Sequence, residues 1–278
     1  MVPRMTAWQT TRFRIDLAQP RVMGIVNVTP DSFSDGGRGV AQALAHAEQL
    51  VKEGADILDV GGESSRPGSE PVPLEEELRR VRPVLEGVLK LGVPVSIDTY
   101  KTETMRLALE LGADIVNDIY ALRSPGAEDL VAGHPSCGIC LMHMLGEPKS
   151  MQDDPQYTDV VAEVNRFLAD RADTLRQRGV AADRIVLDQG TGFGKRTQDN
   201  FDLLKAQAAT LALGYPLLAG WSRKTSIGRV TGRDVGDRLV GSVAAALAAV
   251  HYGARIVRVH DVAATVDALK VWHHAGLC

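Results

Sequence analysis

The stretch Val22-Met23-Gly24-Ile25-Val26-Asn27-Val28-Thr29-Pro30-Asp31-Ser32-Phe33-Ser34-Asp35-Gly36-Gly37 sets the pattern from which the fold is read. Its first five residues are apolar without alternation, as in a parallel strand buried on both faces. The run then stops on a carboxamide, Asn27, and enters a loop of Thr, Pro, Asp, Ser and Gly. The same pattern recurs. Strand-like runs stand at 22–26, 56–60, 93–97, 113–116, 139–142, 184–187, 216–219 and 255–259.

Helical periodicity separates them at 41–52, 74–89, 157–178 and 237–252, with Glu75, Glu76 and Glu77 suiting the first turn of the second. The pairs Gly54-Ala55, Gly92-Val93, Gly112-Ala113, Gly179-Val180 and Gly253-Ala254 read as helix C-caps. Eight strands alternating with helices over about 250 residues is the count of a (β/α)₈ TIM barrel. The rival, a doubly wound open sheet, usually carries a Gly-rich fingerprint after its first strand, and Gly24-Ile25-Val26-Asn27 is not one. The alternating segment Arg12-Phe13-Arg14-Ile15-Asp16-Leu17, with a turn at Gln19-Pro20, is expected to be a short N-terminal β-hairpin closing the barrel bottom. No linker, low-complexity tract or repeat interrupts the chain, so one domain over 1–278 is expected.

With 278 residues, 45% of them hydrophobic, the chain can bury a large core. Its net charge of −4 implies no broad basic face for nucleic acid. Cys137-Gly-Ile-Cys140 has CxxC spacing but sits in a strand-like run, so buried thiols are the better reading than a redox motif. Met1-Val2-Pro3-Arg4-Met5 lacks the apolar core of a signal peptide, and the apolar run at 243–250 is too short to span a bilayer. A soluble, cytoplasmic protein is expected, with no membrane partner.

The strands end on chemistry. Asn27, Asp98, Asn117, His143, Asp188 and His260 close or follow their runs, and Ser222-Arg223-Lys224 and Arg258 lie close by. In a parallel barrel these ends meet at one mouth, where active sites of such barrels lie. Helix capping accounts for single Asp, Asn or Ser residues, including Asp118, Asp261 and Ser222. It does not account for Arg66, Lys224 and Arg258. His143 reads as a satisfied core histidine and Lys195 as a solvated loop charge. Arg66, Arg223, Lys224, Arg258 and His260 form a cationic zone suited to a phosphate ester or diphosphate. Asp98 and Asp188 would pair with the amidine-like edge of a flat heterocycle, and Asn117 adds a donor and an acceptor. No spacing suits zinc; an oxygen-rich mouth at Asn27 suits Mg²⁺. The loops at 29–38 and 64–73 are expected to act as lids.

The stretches 23–37 and 59–68, together with Leu141-Met142-His143-Met144, Ser222-Arg223-Lys224 and Arg258-Val259-His260-Asp261, resemble the dihydropteroate synthases, the folate-pathway family that sulfonamides target. The resemblance runs from about residue 14 to 271. It implies a transferase that joins 6-hydroxymethyl-7,8-dihydropterin diphosphate to p-aminobenzoate by dissociative displacement, with Mg²⁺ and a homodimer packed through its last helices, aided by the Ala-rich segment 243–250. It implies Asp98, Asn117, Met142, Asp188, Gly220, Lys224 and Arg258 on the pterin. Asn27, Ser65, Arg66, Arg258 and His260 would meet the diphosphate, with Asn27 also at the metal. Phe33, Ser65, Pro67, Phe193, Ser222 and Lys224 would surround p-aminobenzoate. Catalysis would fall to Asp98, Asp188, Lys224 and Arg258. Gln189 and Thr191 depart from the family, which has a rigid Pro and an aromatic there, and Trp221 stands where a smaller apolar residue is common. A pterin-dependent methyltransferase and a non-catalytic pterin-binding paralogue are the alternatives.

Overall fold

The structure is a computed structural model that describes residues 5–28, 38–64 and 68–277. A two-stranded antiparallel hairpin, β1 (Ala7–Gln9) and β2 (Arg14–Asp16), precedes eight parallel strands. These are β3 (Arg21–Asn27), β4 (Ile57–Gly61), β5 (Val95–Asp98), β6 (Ile115–Asp118), β7 (Gly138–Met142), β8 (Ile185–Asp188), β9 (Leu217–Ala219) and β10 (Ile256–Val259). They close in chain order, with β10 pairing back onto β3 through Val257 opposite Val22. The expected TIM barrel is the observed fold, and all eight expected runs supply a strand.

The helices lie outside: α1 (Arg38–Lys52), α2 (Leu74–Val88), α3 (Thr102–Leu111), α4 (Ala127–Gly133), α5 (Val160–Gln177), α6 (Thr197–Lys205), α7 (Gln207–Leu211), α8 (Thr225–Thr231), α9 (Leu239–His251) and α10 (Val262–His274). Apolar residues on the outer face of the strands, such as Leu58, Val60, Ile97 and Leu187, pack against helix residues such as Leu50, Val81, Leu85 and Leu168. Each such fully buried side chain contributes roughly 1.5–3 kcal/mol. The helix stops follow the sequence. Gly112 ends α3 at φ 101°, its N–H bonded to Ala108 O and Leu109 O, and Gly54, Gly92, Gly179 and Gly253 also take positive φ.

Inside the barrel a second core fills the amino-terminal end. Trp8, Ile15 and Leu17 of the hairpin region pack on Met23, Ile57, Ile115, Cys140, Val186, Leu218 and Ile256. Trp8 Nε1 donates to Arg184 O at 2.9 Å, and Arg12 pairs with buried Asp114 at 2.6 Å. The hairpin thus closes the barrel bottom. Its turn differs from expectation: it falls at 10–13, where Thr10 N–H and Oγ1 both donate to Phe13 O, while Gln19-Pro20 links β2 to β3. Cys137 and Cys140 are both buried free thiols. They enter different cores, Cys137 outside the barrel and Cys140 within it.

Candidate active site

Alternate residues of a strand share a face. Two positions above each apolar plug residue the interior turns polar: Ile57 gives way to Asp59, Ile115 to Asn117, Val186 to Asp188, and Ile256 to Arg258. Above this layer lies a cavity of about 350 Å³ at the carboxyl end of the barrel. Asn27, Asp98, Asn117, Met142, Asp188, Phe193, Gly220, Ser222, Lys224, Arg258 and His260 all line it. Residues separated by up to 233 positions therefore converge as the strand ends predict. Phe33, Ser65, Arg66 and Pro67, with the loop residues 29–37, lie outside the described residues.

Arg258 is the electrostatic centre. Its Nε donates to Asp59 Oδ2 at 2.5 Å and its Nη2 to Asp98 Oδ2 at 2.5 Å. Asn117 Nδ2 donates to the same Asp59 oxygen at 3.1 Å. Asp59 was absent from the sequence expectations. It is fully buried, and its Oδ1 has no hydrogen-bond partner among the described residues. A carboxylate inside an apolar run requires a partner, and its parity with Ile57 aims it into the barrel; that was the available signal. Burial pushes the Asp98 carboxyl up to about 7; Arg258 opposes the shift, while Asp59 and Asp118 add to it. The Arg258 guanidinium is held firmly charged: burial works against this, and Asp59 and Asp98 outweigh it.

On the opposite wall, Asp188 Oδ1 accepts from Gly190 N–H at 2.7 Å, and burial raises its carboxyl above the usual range. Lys224 Nζ sits 4.1 Å from the centroid of the Phe193 ring, a cation–π contact. Ser222 Oγ lies 3.0 Å from His260 Nδ1 and accepts from His260 N–H at 3.1 Å. Ser222 is therefore no helix cap; α8 begins at Thr225, after Lys224. Arg223 lines the cavity, but its guanidinium is bound to Asp261 at 3.1 and 2.5 Å, which removes it from the open cationic zone. Asp118 proves to be a turn former, accepting from Tyr120 and Leu122 N–H at 2.7 Å each. Glu63, also unforeseen, borders the cavity and accepts from Tyr100 Oη at 2.7 Å while pairing with Lys101.

The loop after β8 corrects one expectation outright. Lys195 is not a solvated charge: it is 2% exposed. Its ammonium donates to His143 O, Gly190 O and Phe193 O at 3.2, 3.0 and 3.0 Å and lies 2.9 Å from His143 Nδ1. Burial, helped by Lys195, pushes the imidazole of His143 down to about 2, so it is neutral and its Nδ1 accepts. Gln189 is buried facing the helices, donating to Thr210 Oγ1 at 2.7 Å and Leu203 O at 3.3 Å. Thr191 lines the cavity.

Among the described residues no group of three His, Cys, Asp or Glu side chains is placed to hold a metal. A magnesium ion still fits the mouth chemically, since it is commonly held by one or two protein oxygens with substrate phosphates and water completing the shell. Asn27, at the end of β3 and open to the cavity, offers such an oxygen.

The family model described as "Pterin binding enzyme" matches residues 23–260. The dihydropteroate synthase of Neisseria meningitidis serogroup C is 56% identical over 276 residues, covering 97% of this chain and 98% of that protein. Two solved structures are similar throughout. Xanthomonas albilineans dihydropteroate synthase with 4-aminobenzoic acid superposes with a TM-score of 0.91 at 51% identity, covering 98% of this chain and 99% of the other. Burkholderia cenocepacia dihydropteroate synthase complexed with 7,8-dihydropteroate gives 0.90 at 51% identity, covering 99% and 98%.

Proposed function

Because this chain belongs to the pterin-binding enzymes, as one of their dihydropteroate synthases, a transferase group of folate biosynthesis, we propose that it joins 6-hydroxymethyl-7,8-dihydropterin diphosphate to p-aminobenzoate in the cavity above the barrel. The observation that carries the reading is the convergence of Asp98, Asn117, Asp188, Lys224 and Arg258, from five different strands or their loops, on that one cavity.

The pterin lies over the polar layer, held by Asn117 and the two carboxylates, with Met142 and Gly220 on the walls. Arg258 and His260 face the diphosphate. Mg²⁺ at Asn27, when bound, neutralises charge on that leaving group. As the C–O bond to diphosphate breaks, positive charge spreads from the methylene into the ring. Asp98 and Asp188 are anions made unfavourable by burial, so they gain most from a cation placed against them. That difference between ground state and transition state is what accelerates bond breaking. The aniline nitrogen of p-aminobenzoate, packed at Phe193, Ser222 and Lys224, then attacks the methylene and releases its proton to solvent. No covalent enzyme intermediate forms. Exposed Val240 and Val271, on α9 and α10, support assembly as a homodimer. The reduced thiols of Cys137 and Cys140 suit the cytoplasm.

The test is diphosphate release and dihydropteroate formation from purified protein, with p-aminobenzoate, Mg²⁺ and a sulfonamide varied separately. Product formation that requires both p-aminobenzoate and Mg²⁺ and is suppressed by the sulfonamide is expected. Tight pterin binding with no dihydropteroate formed would instead establish a binder.

A further inference from the structure

Lys195 touches none of the cavity yet is bonded to the loop that forms one wall of it. Gly190 O and Phe193 O bracket Thr191 and Gly192, both of which line the cavity, and Lys195 binds both carbonyls. Its third carbonyl, His143 O, and the imidazole Nδ1 belong to the segment after β7. One buried amine, its pKa drawn down to about 7 by burial, therefore ties the loops after β7 and β8 together. The backbone leaves little alternative. Gly190 and Gly194 take φ of 68° and 61°, and an added Cβ would run into His143 O and Leu145 O respectively. Two further loop carbonyls are bound elsewhere: Gly192 O accepts from Gln152 at 2.6 Å and Gly194 O from Tyr157 Oη at 2.7 Å. Without the Lys195 amine, His143 O and Phe193 O lose their donor while Gly190 O keeps the Phe193 N–H at 3.0 Å, and each such loss is severe enough to favour rearrangement of the loop.

We propose that Lys195 is a positioning residue for the transfer reaction: it clamps the 189–195 loop so that the Phe193 ring and Lys224 are set for p-aminobenzoate. Of the pterin carboxylates, Asp98 ends β5, away from this loop, and Asp188 is fixed in the β7–β8–β9 ladder with one bond from Gly190 N–H reaching the loop, so the clamp acts mainly on the p-aminobenzoate side. The inference rests on the function proposed above.

The test compares Lys195→Met, which keeps length but removes all donors, with Lys195→Gln, which restores two N–H donors. In Lys195→Met the KM for p-aminobenzoate should rise at least about tenfold while that for the dihydropterin diphosphate stays within about twofold, as expected for misplacing one wall. Lys195→Gln should fall between Lys195→Met and wild type. Equal movement of both KM values, or movement of neither, overturns the clamp. Hydrogen exchange gives a reading independent of turnover: amides of Thr191, Gly192 and Phe193 should lose protection in Lys195→Met, and unchanged protection overturns the proposal. If Lys195→Met does not fold, the same two measurements on His143→Leu decide, with a smaller split expected. Wild-type product formation, measured alongside, tests the function separately from the clamp.

Discussion

The two halves of the barrel interior differ by two residues along each strand. The lower half, around Ile57, Ile115, Val186 and Ile256, is apolar and closed by Trp8. The upper half, around Asp59, Asn117, Asp188 and Arg258, is charged and opens into the cavity. The lower half buries apolar area and is satisfied by it. The upper half buries charges that are only partly matched, with Asp59 Oδ1 lacking a hydrogen-bond partner among the described residues. Stability and chemistry are thus separated along the strand axis, and substitutions at the two levels should act on different observables.

The largest expected effect is on the lower half. Trp8→Ala empties the plug and should cost about 3–5 kcal/mol of stability. Denaturant unfolding measures the loss, and the folded fraction should keep wild-type KM values; a changed KM for either substrate would break the separation. Next, Asp98→Asn in the upper half should lower kcat by about a hundredfold or more, worth roughly 3 kcal/mol of transition-state stabilisation, with the unfolding midpoint little changed. Wild-type turnover in that variant would remove Asp98 from the chemistry. The smallest effect is on acid stability, and it too belongs to the upper end. The folded protein holds His143 neutral down to about pH 2, whereas the unfolded chain protonates it near 6.5. Between those values the unfolded state binds the extra proton, so stability falls as pH falls. Going from pH 6.5 to 5 should cost about 2 kcal/mol from this group. His143→Gln should flatten that part of the pH–stability curve, as chemical denaturation at several pH values would show.

The fold was legible because buried parallel strands cannot alternate, so eight apolar runs stood out. The hairpin turn was misplaced for a chemical reason. Gln19-Pro20 carries turn residues, but the real turn at 10–13 has no Gly or Pro and is held by the Thr10 hydroxyl and the Arg12–Asp114 pair. The site was legible where polar residues end strands. It was not where charge lies below the rim, as with Asp59, or where a loop lysine turns inward, as Lys195 does. In both cases the deciding information is three-dimensional: which groups, tens to hundreds of positions away, supply the partner. Gln189 makes the same point. Read as the loss of a rigid proline, it instead secures the loop by bonding to Thr210, which in turn donates to Asn165 at 2.6 Å.

The bond from Trp8 to the carbonyl of Arg184 spans 176 residues. During synthesis the indole leaves the ribosome well ahead of its acceptor, which emerges only after the fifth barrel strand, β7, is complete. The hairpin must therefore wait, apolar and unhoused, while the first five barrel strands are made. A truncated nascent chain ending before residue 184 should leave Trp8 wet, so its fluorescence reports closure of the barrel bottom.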